Sequence, residues 1–218
     1  MKHIALLTTL LLSASLQAVE KPYDYVFFEN SLMKGDYFYS QAKYTSPSWI
    51  KNARHHLPVA GSVAFTPGNS LELTYVSAPG GDWYSEIQYC PVRGNDFFRE
   101  PSTLSMQVRL RESMNAAALP NIAIRYADST YTQYLNLRNY LKDTRPGVWH
   151  SVSIPLKDFG LNAVNDTNIK KLAAVALRPG TADGNEYTIY LDDIELLPAS
   201  LPFGKCLKRS GLAGSQGV

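Results

Sequence analysis

The chain has 218 residues and a formal net charge of +2, with no basic run and no Arg/Lys stripe, so a nucleic-acid surface of the usual electrostatic kind is excluded. Two cysteines are too few for a disulfide-built scaffold. A chain of this length buries about 70% of its unfolded surface, enough for a core without staples, and fourteen Tyr against four Met tilt it toward β structure.

Lys2 and His3 precede "IALLTTLLLSASLQA", an apolar stretch of signal-peptide length that is too short to span a bilayer and stop there. Residues 1–18 are therefore expected to be a signal peptide cleaved after Ala18, with Leu16 larger than the ideal residue at the minus-three position. The mature protein is expected to be exported, to the periplasm or the cell exterior. No Cys follows the apolar run, so no lipid anchor is expected, and no later stretch is apolar enough to span a membrane.

From there, short alternating segments recur between Gly, Pro, Asn and Asp. "YDYVFFEN" opens the domain and "YFYSQAKYT" follows a "KGD" turn. "SLELTYVS" and "DWYSEIQYC" flank "APGG", a strong turn signal. "STLSMQVRLR" puts Leu104, Met106, Val108 and Leu110 on one face. "NIAIRYA" and "YTQYLNLR" flank "DST" as a hairpin would. "GVWHSVSIPL", "LAAVALRPG" and "YTIYLDDIELL" complete the set, and "DTNIKK" reads as one helical turn. Nine or ten short strands predict an all-β, two-layer antiparallel β-sandwich over residues 19–198. Residues 199–218 begin with the Pro-rich "LPASLPFG" and read as a linker-like tail, either leading to a lost downstream domain or ending as an ordinary disordered terminus. A Cys90–Cys206 disulfide is one possibility that the sequence leaves open.

In the last strand the hydrophobic phase slips: Ile189 and Leu191 share one face, Ile194 and Leu196 the other. A β-bulge at Asp192 and Asp193 would produce that slip. The acidic pair has two readings: a structural calcium site, or side chains that cap free N–H groups at the bulge. Adjacent strand residues point to opposite faces, so the pair cannot easily flank one glycosidic bond.

The segments "PGVWHSVSIPLKDFG", "LAAVALRPG" and "YTIYLDDIELL" resemble the C-terminal half of galactose-binding-like, jelly-roll carbohydrate-binding modules. "VFFENSLMKGDYFYS" through "LELTYVSAPGGDWYSEI" resembles the N-terminal accessory domain of bacterial secreted glucoamylase-like glycoside hydrolases, including relatives that act on β-1,2-glucans. In those enzymes a helical barrel downstream is catalytic, and nothing in these residues could form it. The resemblance implies a non-catalytic module of a polysaccharide-degrading system, with a glucan as ligand and a catalytic hydrolase domain as partner. It also implies a calcium set of Glu29 from the first strand with Asp192 and Asp193.

For the sugar itself, a ring needs an aromatic face and polar groups beside it. Trp83, which follows the flexible turn, Arg125, which leaves the apolar face of its strand, and Tyr134 are the candidates, with Tyr84, Tyr131 and Gln133 close to them in sequence. Trp149 is read as structural. A purely structural sandwich without a sugar ligand, or a jelly-roll glycosidase or lyase, are the alternatives. The histidines show no metal-ligand spacing, and no nucleophile, phosphate-loop or zinc-protease motif occurs.

Overall fold

A computed structural model describes residues 26–89, 101–161 and 171–198. The expected signal peptide, Cys90, most of "DTNIKK" and the tail with Cys206 lie outside the described residues. Among the described residues twelve strands form two antiparallel sheets, three short 3-10 turns lie wholly within those residues, and there is no α-helix. The all-β, two-layer antiparallel sandwich expected from the alternation is what forms.

One sheet runs in the order β10 (Trp149–Pro155), β7 (Pro101–Leu110), β12 (Glu186–Pro198), β5 (Ser70–Val76) and β3 (Trp49–Ile50). Beside this path, β1 (Val26–Phe28) pairs with β12, and β4 (Val59–Ala60) with β5. The other sheet runs β2 (Ser40–Thr45), β6 (Asp82–Gln88), β11 (Leu172–Arg178), β8 (Asn121–Tyr126) and β9 (Leu135–Asn136). The chain changes sheet between β5 and β6 at the "APGG" turn. Gly80 has φ +84°, and a Cβ on Gly81 would fall 2.2 Å from the Ser48 backbone nitrogen, so both positions require glycine.

Period-two alternation fills the space between the layers. Leu71, Leu73 and Tyr75 of β5 and Leu104, Met106, Val108 and Leu110 of β7 face inward from one sheet, and Ile122, Ile124, Val175 and Leu177 from the other. Trp83 belongs to this core and is only 1% exposed. Its ring centroid lies 4.8 Å from that of Tyr75, and its Nε1–H donates to Ser77 Oγ at 2.9 Å. The expectation that Trp83 stacks on a sugar is therefore corrected: it shares parity with Ser85 and Ile87, which is the inward set of β6.

The phase slip in β12 is a bulge. Asp192 pairs with Gln107 and Glu195 with Ser105, so three steps on β12 oppose two on β7. Asp193 takes φ +45° at that point. The extra residue restores the inward phase, and Ile189, Leu191, Ile194 and Leu196 are all buried in one core.

The expected hairpin over 121–138 is shorter than the sequence implies. Tyr131 makes an isolated bridge to Arg125, β9 is two residues long, and Leu137–Asn139 turns as a 3-10 segment. Asn136 drives the change, since its side chain accepts from Arg138 N at 3.0 Å and draws the backbone out of the ladder.

Candidate functional site

The outward residues of the five-stranded sheet gather around a concavity. On β2 these are Gln41 and Lys43, and on β6 Tyr84 and Glu86, with Lys43 opposite Tyr84 and Gln41 opposite Glu86. The central strand β11 places Ala176 beside Glu86 and Ala174 beside Arg125 of β8. These alanines take little volume, so the longer side chains on either flank can meet above them. Arg178 at the end of β11 and Tyr131 from the β8–β9 connection complete the wall of a cavity of about 460 Å³.

Glu86 is the hub. Its Oε1 lies 2.6 Å from Arg125 Nε and accepts from Tyr131 Oη at 3.1 Å. The Tyr131 hydroxyl is in turn 3.1 Å from Tyr84 Oη. Arg125 is held a second time, donating from Nη1 to Tyr126 O at 3.1 Å. A buried carboxylate needs such partners.

Aromatic packing sets the rest of the wall. Tyr131 stacks with Tyr134, with ring centroids 6.1 Å apart and planes at 26°. The Arg178 guanidinium lies 5.6 Å from the Tyr84 ring centroid and 5.4 Å from that of Tyr134, within cation–π range of both. Burial pushes the Tyr84 and Tyr134 phenols up, with Arg178 working against the rise at Tyr134. Both phenols therefore stay protonated.

Arg125 and Tyr134, two of the three residues expected to touch sugar, are thus brought to one face together with Tyr84 and Tyr131, while Trp83 points the other way. Sequence reasoning missed Glu86 and Arg178. Glu86 had a signal, since it shares strand parity with Tyr84; Arg178, at a strand end before "PG", had none. Glu86 is the only carboxylate lining the cavity among the described residues, and both partners tie it down. Glycoside hydrolysis in its usual form draws on a pair of carboxylates.

The Asp pair lies on the other sheet. Asp192 is fully buried. Its Oδ2 accepts from Phe65 N at 2.8 Å and Thr66 N at 3.2 Å, and its Oδ1 from Asp193 N at 2.9 Å. Asp193 Oδ2 accepts from Thr66 Oγ1 at 2.8 Å. Burial pushes the Asp192 carboxyl up to about 6, against the pull of these N–H bonds. The Asp192 carboxylate thus accepts from three backbone N–H groups, those of Phe65, Thr66 and Asp193. Glu29 follows Phe28, which pairs with Ile194. Among the described residues no group of three or more His, Cys, Asp or Glu side chains gathers to hold a metal ion.

The family model for carbohydrate binding domain 30 matches residues 24–197. Over 202 residues the chain is 99% identical to the exo beta-1,2-glucooligosaccharide sophorohydrolase (non-reducing end) of Parabacteroides distasonis. That match takes in 93% of this chain and 28% of the relative, so the chain spans little more than a quarter of the curated relative's length. The crystal structure of beta-1,2-glucanase from Parabacteroides distasonis is 99% identical with a TM-score of 0.79, over 84% of this chain and 26% of that one. The family 30 carbohydrate-binding module of a cellulosomal cellulase of Clostridium thermocellum superposes with a TM-score of 0.60 at 17% identity, over 82% of this chain and 99% of that module. At that identity the likeness is one of fold.

Proposed function

The chain belongs to the carbohydrate binding domain 30 family, and from that premise we propose that it holds a glucan in the pocket on its five-stranded sheet, as the non-catalytic module of a larger, exported glycoside hydrolase. The observation that carries this reading is the Glu86–Arg125–Tyr131 network, which lines a concave face with fixed charged and hydroxyl groups. Sugar hydroxyls both donate and accept, and such convergent groups fix their orientation. A glucan is favoured because the relative at 99% identity is named for β-1,2-glucooligosaccharides. The larger hydrolase is favoured because the chain spans 28% of that relative. The apolar stretch behind Lys2 and His3 supports export.

Calorimetric titration of the purified chain with β-1,2-glucan oligosaccharides, beside β-1,3- and β-1,4-linked ones, tests the reading. A small open site loses much of its gross contact energy to ordering, so the expected Kd is in the range of about 10 μM to 1 mM. Tyr131→Ala should weaken binding about tenfold, the loss of one well-placed contact. The chain alone should release no reducing ends. Absence of binding to every glucan tested overturns the proposal.

A further inference from the structure

In the pocket the cations outnumber the carboxylates. Lys43, Arg125 and Arg178 line it together with Glu86. Arg125 is neutralised by Glu86 at 2.6 Å. Lys43 and Arg178 are both exposed, and among the described residues neither has a carboxylate oxygen within 4.0 Å.

The register sets their spacing. Lys43 of β2 pairs with Tyr84, and Arg178 of β11 follows Leu177, which pairs with Ser85, so the two cations flank Tyr84 from opposite sides. Two strand spacings put their backbones about 10 Å apart. Long stems on both can close on one small group above the Tyr84 ring, over which Arg178 already lies. Both head groups are donors without acceptor capacity. A sugar hydroxyl can accept from both but carries no charge to balance them, whereas an anionic group offers more acceptor lone pairs and opposite charge.

We infer that Lys43 and Arg178, on either side of Tyr84, form a subsite for a negatively charged substituent (a carboxylate, sulfate or phosphate) carried by the glucan that the pocket binds. The inference rests on the glucan reading above.

The test uses the whole purified chain with two probes, a β-1,2-glucan oligosaccharide and the same oligosaccharide partly carboxymethylated. At about 50 mM salt the charged form should bind roughly three- to tenfold more tightly, the scale expected of two exposed ion pairs. At about 500 mM salt the advantage should shrink, because exposed charges are screened. In the Lys43→Gln, Arg178→Gln double variant the ratio of the two affinities should fall to about one, and Lys43→Gln alone should give an intermediate ratio. Equal binding of both probes by the unaltered chain overturns the subsite and leaves the glucan reading in place. A preference that survives in the double variant also overturns the subsite. Failure to bind either probe overturns both readings.

Discussion

Arg125 reaches across strand β11 to bring its Nε within 2.6 Å of Glu86 Oε1, with Ala174 and Ala176 as the residues between them on the sheet. The two strands that carry the pair are not neighbours, so the contact ties β6 to β8 over a third. Removing one partner leaves the other charge largely buried and unpaired. Glu86→Ala or Arg125→Ala should each cost about 2–4 kcal/mol in urea unfolding. The double variant should cost less than the sum of the two, by about 1 kcal/mol or more, as for other pairs in contact. Strict additivity would show that the pair is not coupled.

Trp83 and Tyr131 should separate core from site. Trp83→Ala removes a buried ring and its bond to Ser77, and should cost about 3–5 kcal/mol. Tyr131→Ala removes a 36% exposed ring and should cost about 1 kcal/mol or less while weakening glucan binding. Chemical denaturation of the two variants, beside the titrations, reads both effects.

Asp192 should give the domain a measurable pH slope. Its folded value of about 6 lies above the ordinary carboxyl value of 3.8. Below the lower value the carboxyl is neutral in both states and carries no penalty. As pH rises toward 6 the unfolded chain ionises first, so stability falls, and it levels off above about 6. A rise of that size corresponds to about 3 kcal/mol, and solvent screening beneath a single loop reduces it to about 1–2 kcal/mol. Asp128 and Asp143 are held below the usual carboxylate range by hydrogen bonds from Thr130 and Arg145, so their contribution is lost only at lower pH. Urea midpoints between pH 4 and 7 should fall in the parent chain and flatten in Asp192→Asn. If Asp192 acts as a cap, a chelator should leave the melting transition where it was; a lower transition would favour a calcium ligand set instead.

The bulge makes a sharper demand on Asp193, whose φ of +45° lies in the left-handed region. Asp193→Gly relieves the backbone but loses the bond from Thr66, and should change stability by about 1 kcal/mol or less. Asp193→Val loses the bond and adds a β-branched residue where it fits worst, and should cost about 2 kcal/mol or more. Thermal melts of the two variants check the contrast.

Local alternation made the β12 bulge legible in the sequence. Ile189 and Leu191 hold one phase, Ile194 and Leu196 hold the other, and one extra residue reconciles them in a single core. Arg125 was legible for the same reason, since it falls out of phase with Ile122 and Ile124. Trp83 misleads because the flexible turn before it suggests exposure, whereas its parity with Ile87 decides where the ring points. The pairing of Arg125 with Glu86 was not legible, because it depends on which strands become second neighbours in a sheet, and no local pattern encodes that order. The same holds for the loop at Phe65 and Thr66 that closes over Asp192, more than a hundred residues away along the chain.

Strand β12 pairs with β7 on one side and with β5 and β1 on the other, although among the described residues it is the last strand in chain order. A nascent chain that has emerged only as far as residue 185 lacks the strand that joins the β10–β7 ladder to β5 and its partners β3 and β4. Its β5 and β7 then present unpaired edges, which are templates for joining other chains. The sandwich can close only after the final strand has been threaded between partners translated long before it, so a cell must keep the growing polypeptide from aggregating until then.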